Sequence, residues 1–168
     1  EAEIFAAVGL PWIPPELRES RGEIDAARAG RLPHLVELGD IKGDLQMHTT
    51  ATDGKNTLVE MANACAAMGY EYIAITDHTK AVRVAGGLTS AGFRKQSRQI
   101  DAIQTRFKHL TILKGAEVDI LDDGSLDLDD DTLEQLDIVV ISVHSRFNIS
   151  KTAMTRRIVR AIRHPRAH

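Results

Sequence analysis

A single cysteine among 168 residues leaves no partner for an internal disulfide, so packing and hydrogen bonding alone must hold the fold. That residue, Cys65, sits in the apolar helical pattern Leu58-Val59-Met61-Ala62-Cys65-Ala66, and a reducing, cytoplasmic compartment suits it. Long hydrophobic runs are missing too. No stretch reaches the roughly 18 apolar residues of a membrane span, and the acidic start Glu1-Ala2-Glu3 lacks a secretory leader's basic region, which disfavours both membrane insertion and export. Neither sign of charge dominates. A net charge of −3 and a pI near 6.2 give no global attraction to nucleic acid, so such a role needs a local basic patch. The chain has no Gly-x-Ser-x-Gly, no Walker loop and no Cys-x-x-Cys. Nucleophile-elbow hydrolysis, P-loop nucleotide binding and thiolate zinc sites therefore lack a basis. Internal repeats and low-complexity segments are absent as well.

What is present is an apolar fraction ordinary for a globular chain, in a length that suits one domain with a real core. Residues 1–40 read apart from the rest. Leu10-Pro11-Trp12-Ile13-Pro14-Pro15-Glu16-Leu17 is proline-dense and apolar, which suits an extended arm, and the segment is expected to be a linker with two short helices. Trp12 is either an anchor packed against the domain or an exposed interface residue.

From residue 41 onward short β-rich runs alternate with longer helical ones. Gly43–His48 reads as a strand; Thr57 with Glu60 three residues on predicts a capping box for a helix to about Met68, which Gly69 ends. Glu71–Thr76 predicts a second strand, Thr89–Lys108 a helix, and Thr111–Ile120 a third strand. Asp131–Gln135 predicts a short helix, Asp137–Val143 a nearly continuous apolar strand, and Thr152–Ile162 a basic helix. This alternation is the pattern of an α/β fold of parallel βα units, either a barrel or a doubly wound sheet. The acidic run Asp122–Asp131 is read as a solvated loop leading into a helix cap.

Functional residues of parallel α/β folds gather at the carboxyl ends of the strands. Here the first strand ends in His48, with Asp53 shortly after. The second ends in Asp77-His78, the third in Glu117 and Asp119, and the fourth in His144. Taken singly, each histidine is more often a structural residue than a ligand. Their shared placement points instead to a multinuclear metal site, because imidazole nitrogens and carboxylate oxygens bind Zn²⁺, Mn²⁺ and Fe²⁺, and a carboxylate such as Glu117 can bridge two ions. The competing reading makes Asp53-Gly54 an ordinary turn, Asp77 a helix cap and the histidines loop pins. Arg83, in the loop Lys80–Gly87, and Arg146, two residues beyond His144, are candidates to clamp phosphate oxygens while metals polarise the phosphorus and lower the pKa of a bound water. Solvation or pairing with the nearby acidic loop is the alternative for both. Arg156-Arg157 with Arg160 and Arg163 form a basic helix face, either solvated or tracking a nucleic-acid backbone.

These segments carry a resemblance. Gly43–Gly54 resembles the first PHP motif, Ile75-Thr76-Asp77-His78 the second, Gly115–Ile120 the third and Ser142-Val143-His144-Ser145 the fourth. Ala85-Gly86-Gly87-Leu88-Thr89, Asp122–Asp127 and the leader Gly9–Pro15 are similar to the C-terminal region of bacterial family X DNA polymerases in particular. The resemblance implies the first part of a distorted, TIM-like barrel with up to three divalent ions, Mn or Zn, and a 3′→5′ exonuclease or DNA 3′-end phosphoesterase activity. It implies a polymerase domain in the same parent chain, with 1–40 as the linker behind it and 41–168 as an incomplete PHP domain. By position, His48 and Glu117 match ligands of one metal, Glu117 and His144 of a second, and Asp53 and His78 of a third. The motif's first histidine is Gln46 here, a weaker, uncharged ligand or a residue that only orients water. The family's later ligands lie beyond this segment. His164-Pro165 follows the basic helix directly, where a loop is expected, which counts against it as a substitute.

Two other functions stay open: a phosphatase of the histidinol-phosphate type, disfavoured by the proline-rich leader and Gln46, and a non-catalytic structural module. The resemblance also predicts that the strand 137–143 has a bare outer edge, so that the chain alone is weakly stable or associates with itself, and has little activity.

Overall fold

The computed structural model describes residues 1–168, which form two compact units, Glu1–Asp40 and Ile41–His168. The first contains two short helices, α1 (Ala2–Ala7) and α2 (Glu23–Arg28). The proline-dense arm is not extended throughout, because it breaks into a single 3₁₀ turn at Pro15–Leu17, where the fixed φ of Pro15 suits a first helical position. Arg18 then folds back onto the unit, donating to the Ile13 carbonyl at 3.0 Å and to the Glu1 carboxylate at 2.8 Å. Trp12 is partly exposed, and its neighbour Ile13 is the buried side chain of the arm.

The second unit alternates strand and helix: β1 (Gly43–Met47), α3 (Leu58–Ala67), β2 (Tyr72–Ile75), α4 (Ser90–Gln104), β3 (Thr111–Asp119), α5 (Asp130–Leu133), β4 (Ile138–Ser142) and α6 (Lys151–Ile162). All four strands are parallel, and their spatial order is their chain order. A steady order of this kind, with no reversal, lays successive crossovers on one face, as at the start of a closed barrel; a doubly wound sheet reverses direction and covers both faces. The packing agrees. Ile73, Ile75 and Ile112 meet Ala62 and Cys65 of α3 and Ile100 of α4, while Ala116, Val118 and Val139 meet Phe93 of α4 and Leu133 of α5. On each strand these are alternate residues, so the opposite residues face the other side of the sheet.

The capping box of α3 forms as expected: the Glu60 carboxylate accepts from the Thr57 N–H at 2.8 Å, and the Thr57 hydroxyl accepts from the Glu60 N–H at 3.3 Å. Three helices start on hydroxyl or carboxylate caps, Thr89, Asp129 and Ser150. Helix α4 stops four residues before Lys108, because the Gln104 amide takes over the turn. It donates to the Phe107 and Leu110 carbonyls and accepts from the Ile112 N–H at 2.8 Å, tying the helix end to the start of β3.

Strand β4 is a sheet edge, but its outer edge is not bare along its length. The Val139 carbonyl accepts from the His168 N–H at 3.0 Å, and the Val139 N–H donates to His168 Nδ1 at 3.1 Å. Arg157 departs further from the sequence reading. It is not on the solvated face of α6 but buried, donating to the carbonyls of Ile120, Leu121 and Ser145. No helix of the chain is long and apolar enough to cross a membrane.

Candidate metal centre

Parallel strands that all end on one side bring their carboxyl-terminal residues together, and five chemistry-bearing side chains meet there. His48 follows β1, His78 follows β2 by three residues, Glu117 lies within β3, and His144 follows β4 by two. Asp53 comes from the β1–α3 loop. His48 Nδ1 stands 3.0 Å from Asp53 Oδ1, and His48 Nε2 stands 3.1 Å from Glu117 Oε2. His78 lies 3.4 Å from Asp53 Oδ2 through Nε2 and 3.6 Å from Glu117 Oε2 through Nδ1. The other Glu117 oxygen, Oε1, is 3.2 Å from His144 Nε2. The rings of His48 and His78 are 4.4 Å apart, and those of His78 and His144 5.0 Å apart.

Two sets of potential ligand atoms result, each within a 4.8 Å span: His48 with Asp53 and His78, and His78 with Glu117 and His144. His78 belongs to both sets, which differs from the assignment by position given above. Ligands held about 2.0–2.2 Å from one shared cation stand roughly 3–4 Å apart, so the spacing suits coordination. One atom points the same way. His78 Nδ1 is buried and has no hydrogen-bond partner, although buried polar atoms are normally paired and an orphan is costly. A cation between His78 and Glu117 satisfies it.

Charge supports the same fit. Asp77, Glu117 and Asp119 are all buried, and the ion pairs of Glu117 and Asp119 run to histidines alone, with no lysine or arginine among them. Buried carboxylates need compensation, and neutral imidazoles supply little of it. For Asp53, partial burial raises the pKa. The hydrogen bond from His48 and the proximity of His78 outweigh it and hold the carboxyl below its ordinary value.

The supporting residues were less visible in the sequence. Asp119 accepts from the His144 backbone N–H at 3.0 Å and lies 3.0 Å from its Nδ1, which fixes the ring so that Nε2 faces Glu117. Ser142 donates to Glu117 Oε1 at 2.8 Å from its place two residues before His144. Asp77 is not a helix cap. It accepts from the Thr49 N–H at 2.8 Å, from the Thr49 and Thr52 hydroxyls and from Gln96 at 2.6 Å, and so pins the loop that presents His48 and Asp53. A serine beside a motif histidine and a doubled acidic residue at a strand end were the signals available for Ser142 and Asp119; nothing local marked Asp77 as an anchor.

Gln46 reaches the centre. Its Nε2 donates to Glu117 Oε2 at 2.7 Å and lies 3.2 Å from His48 Nε2. Gly54 shows that the Asp53-Gly54 turn is tight, since a Cβ there would come within 2.4 Å of the His48 carbonyl and force the loop away, and the same turn presents Asp53 to His48 and His78. Arg83 is exposed on a 3₁₀ turn, Arg83–Ala85, next to Gly87, whose Cβ would strike the Thr79 carbonyl. Arg146 pairs with Asp122 of the acidic loop at 3.0 Å. His164 lies 3.4 Å from Asp130 and belongs to neither ligand set.

Parallel βα units with histidines and carboxylates at successive strand ends define a class of metal-site hydrolase folds. The PHP domain matches residues 44–164, and the chain belongs to that family. It is 49% identical over 173 residues to DNA polymerase/3′-5′ exonuclease PolX of Bacillus subtilis (strain 168), a match that takes in 98% of this chain and 30% of that protein. A protein of Acetivibrio thermocellus named Probable phosphatase is 36% identical over 103 residues, 60% of this chain and 40% of its own. One of the same name from Syntrophotalea carbinolica is 28% identical over 129 residues, 74% and 51% of the two chains. The chain thus spans 30 to 51% of the length of these relatives. The family and the phosphatase names support a hydrolase.

Proposed function

We propose that this chain is a metal-dependent phosphoesterase module that processes DNA 3′ ends as a 3′→5′ exonuclease, within a cytoplasmic parent protein that also carries a polymerase domain. Residues 1–40 act as the linker between the two. The observation that carries the reading is the placement of Glu117, with Oε2 against His48 and His78 and Oε1 against His144. A carboxylate whose two oxygens face different imidazoles is built to bridge. His48, Asp53, His78, Glu117 and His144 are the ligands in this reading, for manganese or zinc. Bound there, such ions supply Lewis-acid polarisation of a phosphoryl oxygen and a water of lowered pKa.

The chain's own residues do the positioning. Asp119 orients His144, Ser142 and Gln46 hold the two oxygens of Glu117, and Asp77 fixes the loop bearing His48 and Asp53. Arg146 exchanges Asp122 for a substrate phosphate, a small change because the pair is largely solvated, and Arg83 is the second phosphate contact. The overall 49% identity to a polymerase/exonuclease favours DNA over a small ester. The phosphatase-named relatives favour a second reading, hydrolysis of a small phosphomonoester.

Rates of the full-length parent protein on 3′-labelled single-stranded DNA and on a small aryl phosphomonoester, each with added Mn²⁺, decide between them. Loss of label from the 3′ end, abolished by Glu117→Ala, is the expected result. Hydrolysis of the small ester alone would establish the second reading instead.

A further inference from the structure

The net negative charge of the chain makes a local cluster of arginines an exception, and one lies beside the last ligand. A cavity of about 550 Å³ is lined by Asp122, Asp123, Ile149, Arg146, Arg156 and Arg160, with Arg157 at its base. We propose that this cavity and the β4–α6 loop form a subsite for single-stranded DNA, in which Phe147 stacks on a base and Arg156 and Arg160 hold the phosphates leading away from the metal centre. The inference rests on the reading of that centre as a DNA phosphoesterase.

The loop carries the argument first. His144 is followed directly by Ser145, Arg146 and Phe147, so whatever lies at the ligand cluster is one to three residues from this surface. Buried Arg157 fixes that distance, since it donates to the Ser145 carbonyl at 2.7 Å and to the Ile120 and Leu121 carbonyls just past β3, locking the loop onto α6. Arg146 sits in the left-handed region, φ 59°, which a bulky non-glycine residue rarely occupies. Phe147 is 69% exposed on the loop and falls in sequence between Arg146 and Ile149, two residues that line the cavity. Scattered exposed phenylalanines are unremarkable. One that directly follows Arg146, on the loop leading from His144 to the arginines of α6, supplies the combination that binds single strands: stacking on a base and cationic contacts along the backbone.

Charge decides which arginines are available. Arg146 and Arg160 pair with Asp122 and Asp123 at 3.0 and 3.2 Å, and both pairs are exposed and exchangeable. Arg157 is committed to carbonyls. Arg156 and Arg163 have no carboxylate partner; Arg156 and Arg160 share one face of α6, about 6 Å apart along the axis, and Arg163 caps its end. The row leads from the loop along the helix. A duplex hides its bases from Phe147, whereas a single strand offers them, so the subsite discriminates by strandedness.

Fluorescence anisotropy of a labelled oligothymidylate, in EDTA and across a salt series, tests this on the whole chain. The wild type should bind the single strand more tightly than a blunt duplex of equal length. Phe147→Ala should weaken binding on the order of tenfold with the salt dependence kept. Arg156→Gln/Arg160→Gln should flatten the slope of log affinity against log salt by about 1.4, two phosphate contacts' worth. All three residues are exposed, so neither variant disturbs the core. Variants that bind like the wild type, or a wild type that does not distinguish strand from duplex, would overturn the subsite. Manganese titration of the same proteins separates the two readings: a wild type that takes up no metal yet shows these DNA effects sinks the metal centre and leaves the subsite standing.

Discussion

Glu117 and His78 are the residues on which the centre turns, because one offers an oxygen to each side and the other belongs to both ligand sets. Around them, Asp119 acts only through His144. Replacing it with Ala should weaken metal binding about 10- to 100-fold, with Asn restoring part of the loss, as read by manganese titration. An unchanged affinity would show that the His144 ring needs no anchor. Gln46 gives a test in the other direction. Its amide already lies 2.7 Å from Glu117 and 3.2 Å from His48, so Gln46→His places an imidazole where a ligand fits and should tighten binding; no change would mean that position 46 only supports Glu117. The convergence of His48, Asp53, His78, Glu117 and His144 was legible in the sequence because strand ends of parallel folds share one side, a rule that needs only the strand assignments. Arg157 and Asp77 were not legible. Both are polar residues whose partners are brought by the tertiary fold from 12 to 37 and from 19 to 28 residues away, and no local pattern separates a buried arginine from its exposed neighbour Arg156.

At the scale of elements, apolar β-rich runs and helical periodicity placed the four strands and four α-helices of the second unit, and capping chemistry placed the start of α3. The ends were less visible, since Gln104 halts α4 through contacts with residues three to eight positions ahead. Gln104→Ala should remove partners from three backbone groups and lower stability by about 1–3 kcal/mol in chemical denaturation. Ile75 is fully buried between the sheet and its helices, and Ile75→Ala should cost about 2–5 kcal/mol by the same measurement. Asp129 gives an acid-dependent test. Hydrogen bonds from Ser90 and then Thr132 lower its pKa from 3.8 to about 2, so its contribution is present above pH 3.8 and is lost as pH falls through 2. Asp129→Asn keeps a capping side chain while removing the charge, and it should flatten the stability profile between those pH values. A profile identical to the wild type's would remove Asp129 from the acid response.

The whole second unit is a run of parallel strands with helices packed along one face, so the order of the chain is also the order in which the clustered side chains arrive at one end of the sheet. That is why a linear reading of strand ends anticipated the cluster. The same order leaves β4 at the sheet edge, where His168 engages Val139 but Ile141 has no such partner. Partly buried apolar residues on this edge strand, Ile138, Val140 and Ile141, favour association. Sedimentation over a range of concentrations should show a growing dimer, and a single monomeric species throughout would contradict this. The most direct test of the central claim is a calorimetric titration of the metal-stripped chain with Mn²⁺, beside Glu117→Ala. Saturable binding of more than one ion in the wild type, with the affinity lost in the variant, is the result predicted by a bridging Glu117. Binding that is absent in both, or equal in both, would contradict a metal centre built on this carboxylate.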